Sequence, residues 1–218
     1  IGTWQLDRVA AQVIYRKPTI YVEDFQGTIN GNYLRLAGEY KVGKVPTYRG
    51  VISFTDLDLA RLLKQGSELR SDLDGEIVFS GRGIDSKHFR LKTHPRLRKG
   101  SYRNWEFDSI AGTVYVTASD VKLENVYAKI GETTLGTNGN VRFTGQLSLD
   151  FDLSSPDLRD LSGYHKQKEL RGGLVADASL LVGKDSLSFE AVTRATEIKL
   201  KGIESDSLVR DLKLTRVG

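Results

Sequence analysis

Residues 147–154 read Leu-Ser-Leu-Asp-Phe-Asp-Leu-Ser, and this alternation of apolar and polar residues decides the fold class. Successive side chains of an extended strand point to opposite faces, so the segment predicts a strand with one apolar and one wet face. The apolar positions are Leu147, Leu149, Phe151 and Leu153. The same pattern recurs at 34–36, 40–42, 76–79, 113–116, 140–143, 187–189 and 197–200.

Glycines between these segments predict turns and bulges, and only 57–64 and 157–161 have a helical pattern. We therefore predict an all-β protein, an antiparallel meander of about 12–15 short strands with one or two short helices. An open sheet of that width normally curls or folds over. Closed barrel, sandwich and curled half-pipe all satisfy the alternation.

The composition excludes several classes of protein. The 218 residues contain 32 Lys and Arg against 28 Asp and Glu, a net charge of +4 that is too mild to indicate nucleic acid. Cys is absent, which excludes disulfides, thiolate metal sites and Cys nucleophiles. No apolar run reaches the roughly 20 residues that span a bilayer, so we expect any membrane anchor to lie outside this segment, which begins at Ile1 without Met.

An internal repeat organises the chain. Residues 20–42 align with 121–143 at a shift of 101 without a gap, mainly through apolar and Gly positions. The continuation matches 50–54 with 145–149, and 58–62 with 157–161. The repeat predicts units of about 100 residues, each a run of strands that ends in a helical turn.

Three phrases resemble the AsmA-like/TamB family of repeating-β-groove proteins: 121–135, 54–63 and 73–83. The resemblance implies a half-pipe with an apolar inner face, a β-groove or β-taco. It implies one repeat unit in 1–110 and a second in 111–218, on one continuous sheet. The basic segment near 87–103 does not fit the repeat and is interpreted as an insertion.

The resemblance also implies a function, lipid transport across a cell envelope. The chain would be a segment of a protein that carries phospholipid or another acyl-chain lipid between inner and outer membranes, in the periplasm of a diderm bacterium, anchored to the inner membrane elsewhere. The expected groove-lining residues are Leu34, Leu36, Tyr40, Val42, Ile77, Phe79, Val114, Val116, Val141, Phe143, Leu147, Leu149, Phe151 and Leu153.

No catalytic constellation is found, so we expect no enzyme, cofactor or metal site. His88 and His94 are six apart in a stretch that contains Pro95 and no carboxylate, and neither they nor His165 predict a zinc site. The basic segment is open to three interpretations: a solvated loop, contact with anionic lipid headgroups, or single-stranded nucleic acid. We expect no nucleic acid partner. The candidate headgroup contacts are Arg90, Lys92, Arg96, Arg98 and Lys99.

Two other functions remain open. The first is a scaffold that assists outer-membrane protein assembly, in which a strand of the nascent outer-membrane protein pairs with the sheet edge. Outer-membrane assembly proteins are then candidate partners. The second is a plain β-sandwich binding module in which the apolar stripe is a dry core.

Overall fold

The computed structural model describes residues 5–64, 69–102, 105–161, 171–184, 186–200 and 203–217. The chain divides into two compact units, residues 1–118 and 119–218. His165 lies outside the described residues.

Unit 1 contains eight described strands and one short helix. They are β1 Leu6–Arg16, β2 Thr19–Ile29, β3 Asn32–Lys41, β4 Thr47–Leu57, α1 Leu59–Leu63, β5 Ser71–Arg82, β6 Arg90–Tyr102, β7 Trp105–Phe107 and β8 Ser109–Thr117. Unit 2 contains six described strands and a 3-10 turn. They are β9 Asp120–Ile130, β10 Thr133–Arg142, β11 Leu147–Ser155, the turn Leu158–Leu161, β12 Arg171–Val182, β13 Ser186–Leu200 and β14 Ile203–Val217.

Both units are open antiparallel meanders. In unit 1 the strand order is β1-β2-β3-β4-β5-β6-β8, with β7 paired to β6, and in unit 2 it is β9 to β14 in sequence order. Within the described residues the first and last strands of a unit do not pair with each other. The predicted all-β meander with one or two short helices is confirmed. The expected division after residue 110 falls inside β8, which pairs with β6.

The register of the strands reproduces the repeat. Val22 opposes Gly38 and Phe25 opposes Leu36 in unit 1, leaving a bulge of one extra residue in β2. At a shift of 101, Leu123 opposes Gly139 and Val126 opposes Thr137, with the same bulge. The strand that follows the repeated hairpin, β4 in unit 1 and β11 in unit 2, departs from the expected alignment, because Gly50 opposes Gly38 whereas Leu149 opposes Gly139. The register therefore relates these two strands by a shift of 99 residues, whereas the expected match of 50–54 with 145–149 is a shift of 95.

Most strands have 9–15 residues, longer than the glycine spacing predicts. Several glycines expected in turns lie within strands instead, as Gly38 and Gly50 do. The segment near 87–103 is predicted to be an insertion, but most of it forms β6. This strand pairs with β5 on one side and with β7 and β8 on the other. Thr93 and Pro95 occupy its apolar phase, which hides the alternation.

One end of unit 1 is closed by a buried polar network around α1. Asp58 caps the helix, and its Oδ1 accepts the backbone N–H groups of Ala60 at 2.9 Å and Ser71 at 3.4 Å. Asn32 is 1% exposed, and its Oδ1 accepts the N–H of Asp58 at 2.8 Å. Arg61 reaches the β2–β3 turn, where its guanidinium donates to the Gly31 carbonyl at 3.3 Å.

Unit 2 is closed at the equivalent place by a different carboxylate. Asp160, in the 3-10 turn, accepts the backbone N–H groups of Glu132 at 2.8 Å and Thr133 at 3.1 Å. The Thr133 hydroxyl, 1% exposed, lies 2.7 Å from that of Ser155. Each unit therefore fastens the turn of its repeated hairpin to its helical segment.

The Asp58→Ala variant should lower the free energy of unfolding by about 1–2 kcal/mol, because the helix loses its cap and the N–H of Ser71 loses an acceptor. Urea denaturation measures the change. Asp58→Asn is the matched control, since an Asn side chain caps a helix as well as Asp does. An equal loss in both variants would contradict the capping role.

Candidate apolar binding face

Unit 1 has one apolar sheet face, identified by register because directly opposed residues of an antiparallel ladder share a face. Leu34 opposes Phe54, Leu36 opposes Ile52, and Tyr40 opposes Tyr48. The same rows continue across β5, β6 and β8. They add Ile77, Phe79, Leu91, Leu97, Val114 and Val116.

Unit 2 has an equivalent face. Val141 opposes Leu147, Leu135 opposes Leu153, and Thr137 opposes Phe151. Beyond β11 the rows continue through Leu174, Ala176, Ala178, Leu180 and Val182. They end at Leu208, Leu212 and Leu214 of β14.

Twelve of the fourteen expected groove residues lie on the apolar face of their own unit. The other two, Val42 and Phe143, lie just past the ends of β3 and β10, where they are 49% and 62% exposed. They belong to connecting loops and not to the rows of the face, so their assignment to the groove stays a prediction. The sequence reasoning missed Phe25 and Val126, which follow the bulges of β2 and β9, because the extra residue shifts the alternation.

The apolar face is partly sheltered, and Phe54 on it is 5% exposed. The strands of each unit follow one another in a single ladder, so each unit is one sheet within the described residues. None of the expected groove residues is fully buried. On the opposite face of unit 2, Val175, Leu181 and Val192 are 50–54% exposed, whereas Leu149 and Phe151 are less so.

A glycine pair lets two strands of unit 1 approach closely on the apolar face. Gly38 opposes Gly50, and a Cβ atom at either position would lie 2.5 Å from a backbone carbonyl oxygen of the facing strand. The strands therefore approach more closely on this side than side chains allow, as glycine kinks in curved sheets permit. Gly139 of unit 2 is equally crowded, with the Ser148 carbonyl at 2.1 Å from such a Cβ.

Aromatic rings line the end of the unit 1 face that is opposite α1. The rings of Tyr48 and Phe79 have centroids 6.5 Å apart, and the Tyr48 hydroxyl donates to the Gly83 carbonyl at 3.3 Å. Partial burial raises the pKa of Tyr48 above its usual value. A neutral phenol that already has an acceptor leaves the rest of the ring to contact an apolar ligand.

The expected headgroup contacts lie elsewhere. In β6 the apolar phase contains Leu91 and Leu97, while Arg90, Lys92 and Arg96 point to the opposite, polar face. Arg98 and Lys99 occupy a bulge opposite β5 and are exposed. These cations do not share a face with the acyl-chain site that the sequence predicts.

The two described histidines have local partners. The Nδ1 atom of His88 lies 2.9 Å from both carboxylate oxygens of Asp85, and this hydrogen bond lowers the pKa of Asp85. The Nδ1 atom of His94 lies 3.0 Å from the Thr113 hydroxyl. Within the described ranges there is no group of three or more His, Cys, Asp or Glu residues that could hold a metal ion.

Comparisons with protein-family models, with curated proteins and with solved structures found no match for the chain. Membership of the AsmA-like/TamB family therefore stays a prediction. None of the helices in the described residues is long and apolar enough to cross a membrane.

The Gly38→Ala variant should destabilise unit 1 by about 1–3 kcal/mol, because the new methyl group overlaps the Arg49 carbonyl and the two strands must move apart. Urea denaturation measures this change, and Gly43→Ala is the control. A Cβ at Gly43 has the Val45 carbonyl at 3.8 Å as its one near neighbour, so we expect a change within about 0.5 kcal/mol. Similar values for both variants would contradict the close approach at Gly38.

Proposed function

We propose that the apolar faces of the two units bind lipid acyl chains, as part of a protein that carries phospholipid between the membranes of a diderm envelope. The observation that supports this most directly is a partly exposed apolar face on the single sheet of each unit. A partly exposed apolar face of this kind is typical of an interaction site, because it would otherwise favour aggregation.

The chemistry of the face suits a hydrocarbon ligand. Its rows consist mainly of aliphatic, aromatic and Gly residues, interrupted by Thr93 and Thr137 and, at the β14 edge of unit 2, by Thr193, Arg210 and Arg216. An acyl chain makes no hydrogen bonds, and each CH₂ group removed from water contributes about 0.8 kcal/mol. Binding of this kind depends on apolar area alone, so neighbouring strands can offer equivalent positions along the face.

No described residue is assigned a catalytic role, and transfer is passive. The polar faces keep each unit soluble in water while the opposite faces hold the chain. The periplasmic location, the inner-membrane anchor and the direction of transfer rest on the family resemblance.

Strand addition is a second candidate, supported by one observation. Among the described residues the 15-residue strand β14 pairs with β13 alone, so one side of its backbone can accept a further strand. An incoming strand of an outer-membrane protein would bind there through main-chain hydrogen bonds. A synthetic β-strand peptide that binds while the lipid is retained would favour this candidate.

The first experiment is native mass spectrometry of the purified chain, followed by organic extraction and lipid analysis. We expect bound phospholipid in the wild type. Phe151→Asp should lose it, because a carboxylate on the apolar face must stay hydrated. The same variant should remain folded, with a loss in unfolding free energy below about 2 kcal/mol, since Phe151 is only partly buried.

Val175→Asp provides the control. It introduces the same charge on the opposite face of the adjacent strand, at a side chain that is 51% exposed between Ser154 and Arg194. Retained lipid in this variant would tie the loss to the apolar face. A lipid-free wild type, or an unfolded Phe151→Asp protein, would refute the proposal and favour a closed core.

A further inference from the structure

Unit 1 has a cluster of cations on its polar face, at the end of the sheet opposite α1. Register places Arg82 opposite Arg90. The same row contains Thr47 on β4 and Thr117 on β8. The next row contains Ser80, Lys92 and Tyr115.

These cations lack the acidic partners that neighbouring cations have. Glu39 pairs with Arg49 at 2.8 Å, and Glu76 pairs with Arg96 at 3.6 Å. Asp85, in the loop between β5 and β6, is engaged by His88. Among the described residues no carboxylate forms an ion pair with Arg82, Arg90 or Lys92, although the Lys92 ammonium lies 5.4 Å from the centre of the Tyr115 ring.

The arrangement of Arg82 and Arg90 is unfavourable without a counterion, because like charges directly opposed across two strands are destabilising. An anion between the two guanidinium groups would remove that repulsion. Arg offers paired N–H donors that match phosphate oxygens, and Lys92 adds a third charge.

A depression of about 460 Å³ lies over these residues, and it is lined by Thr47, Ser80, Arg82, Arg90, Lys92 and Thr117 among others. Its lining contains hydroxyl groups and cations but no carboxylate, it also includes Gly81, Leu91 and Val116 of the apolar phase, and most of its exposed surface is apolar. From this geometry we propose that unit 1 binds a phosphate-bearing anion on its polar face, with Arg82, Arg90 and Lys92 as the charged contacts. Arg82 is absent from the sequence-based candidates, and Arg96 is excluded by its pairing with Glu76.

The charge of the two units agrees with this assignment. Residues 1–118 contain 18 Lys and Arg against 13 Asp and Glu, whereas residues 119–218 contain 14 against 15. The site lies on the opposite face from the acyl-chain site, so it does not depend on the function proposed above.

The test uses the full chain, freed of lipid, with two probes: phosphatidylcholine vesicles that contain phosphatidylglycerol, and pyrophosphate. Arg82→Gln/Arg90→Gln should weaken vesicle binding about 30-fold, at roughly fivefold for each removed charge near an anionic surface. Arg98→Gln/Lys99→Gln is the control, with the same change in charge on the same strand. It should weaken binding less than about threefold.

The outcomes separate the sources of phosphate. If vesicles bind but pyrophosphate does not raise the melting temperature, the ligand is a lipid headgroup at a membrane surface. If pyrophosphate raises the melting temperature of the wild type but not of Arg82→Gln/Arg90→Gln, the site takes soluble phosphate compounds. Equal losses in the two double variants, or no binding of either probe, would overturn the proposal. Pyrophosphate has no acyl chain, so its effect on the melting temperature separates this test from that of the acyl-chain site.

Discussion

A partly exposed apolar face on a single sheet is the constraint on which the rest of each unit depends. A sandwich hides such a face against a second sheet, whereas the described strands of each unit form one ladder. Shelter comes from the sheet itself, where Gly38 and Gly50 let two strands approach closely, and from closure at one end by α1 or the 3-10 turn. The part of the apolar face that stays exposed is available to a ligand.

This constraint explains why the most deeply buried side chains of the described residues are polar. Asn32, Thr133 and Ser155 are 1–2% exposed, whereas the leucines of the apolar face are only partly buried. At the closed ends a helical segment lies against a hairpin turn, so backbone N–H groups lose water and need acceptors. Asp58 and Asp160 supply acceptors in the helical segments of the two units, although the repeat aligns Asp58 with Asp157 and Asp160 with Arg61.

The sequence predicts the class of fold well, because the alternation and the shift of 101 report local strand geometry and a repeated hairpin. It predicts individual positions less well. A bulge adds one residue to a strand and leaves no mark in the composition. The sequence therefore does not show that Phe25 and Val126, which follow the bulges, lie on the apolar face. In β6 the apolar phase carries Thr93 and Pro95, so a central strand resembles a basic loop. The partners of cations depend on register, and Arg82 is recognised as unpaired only from the structure.

The two repeat units therefore have similar apolar faces but polar faces that differ in charge. The apolar faces arise from positions that both units share, such as Leu34 and Leu135, so both can hold hydrocarbon. The polar faces need not have the same residues in the two units, because any residue that is stable in contact with water can occupy them. Around β11 and β12 that face is rich in acidic residues, whereas around β5 and β6 it is basic. An anion site in one unit therefore leaves unchanged the apolar face that both units share.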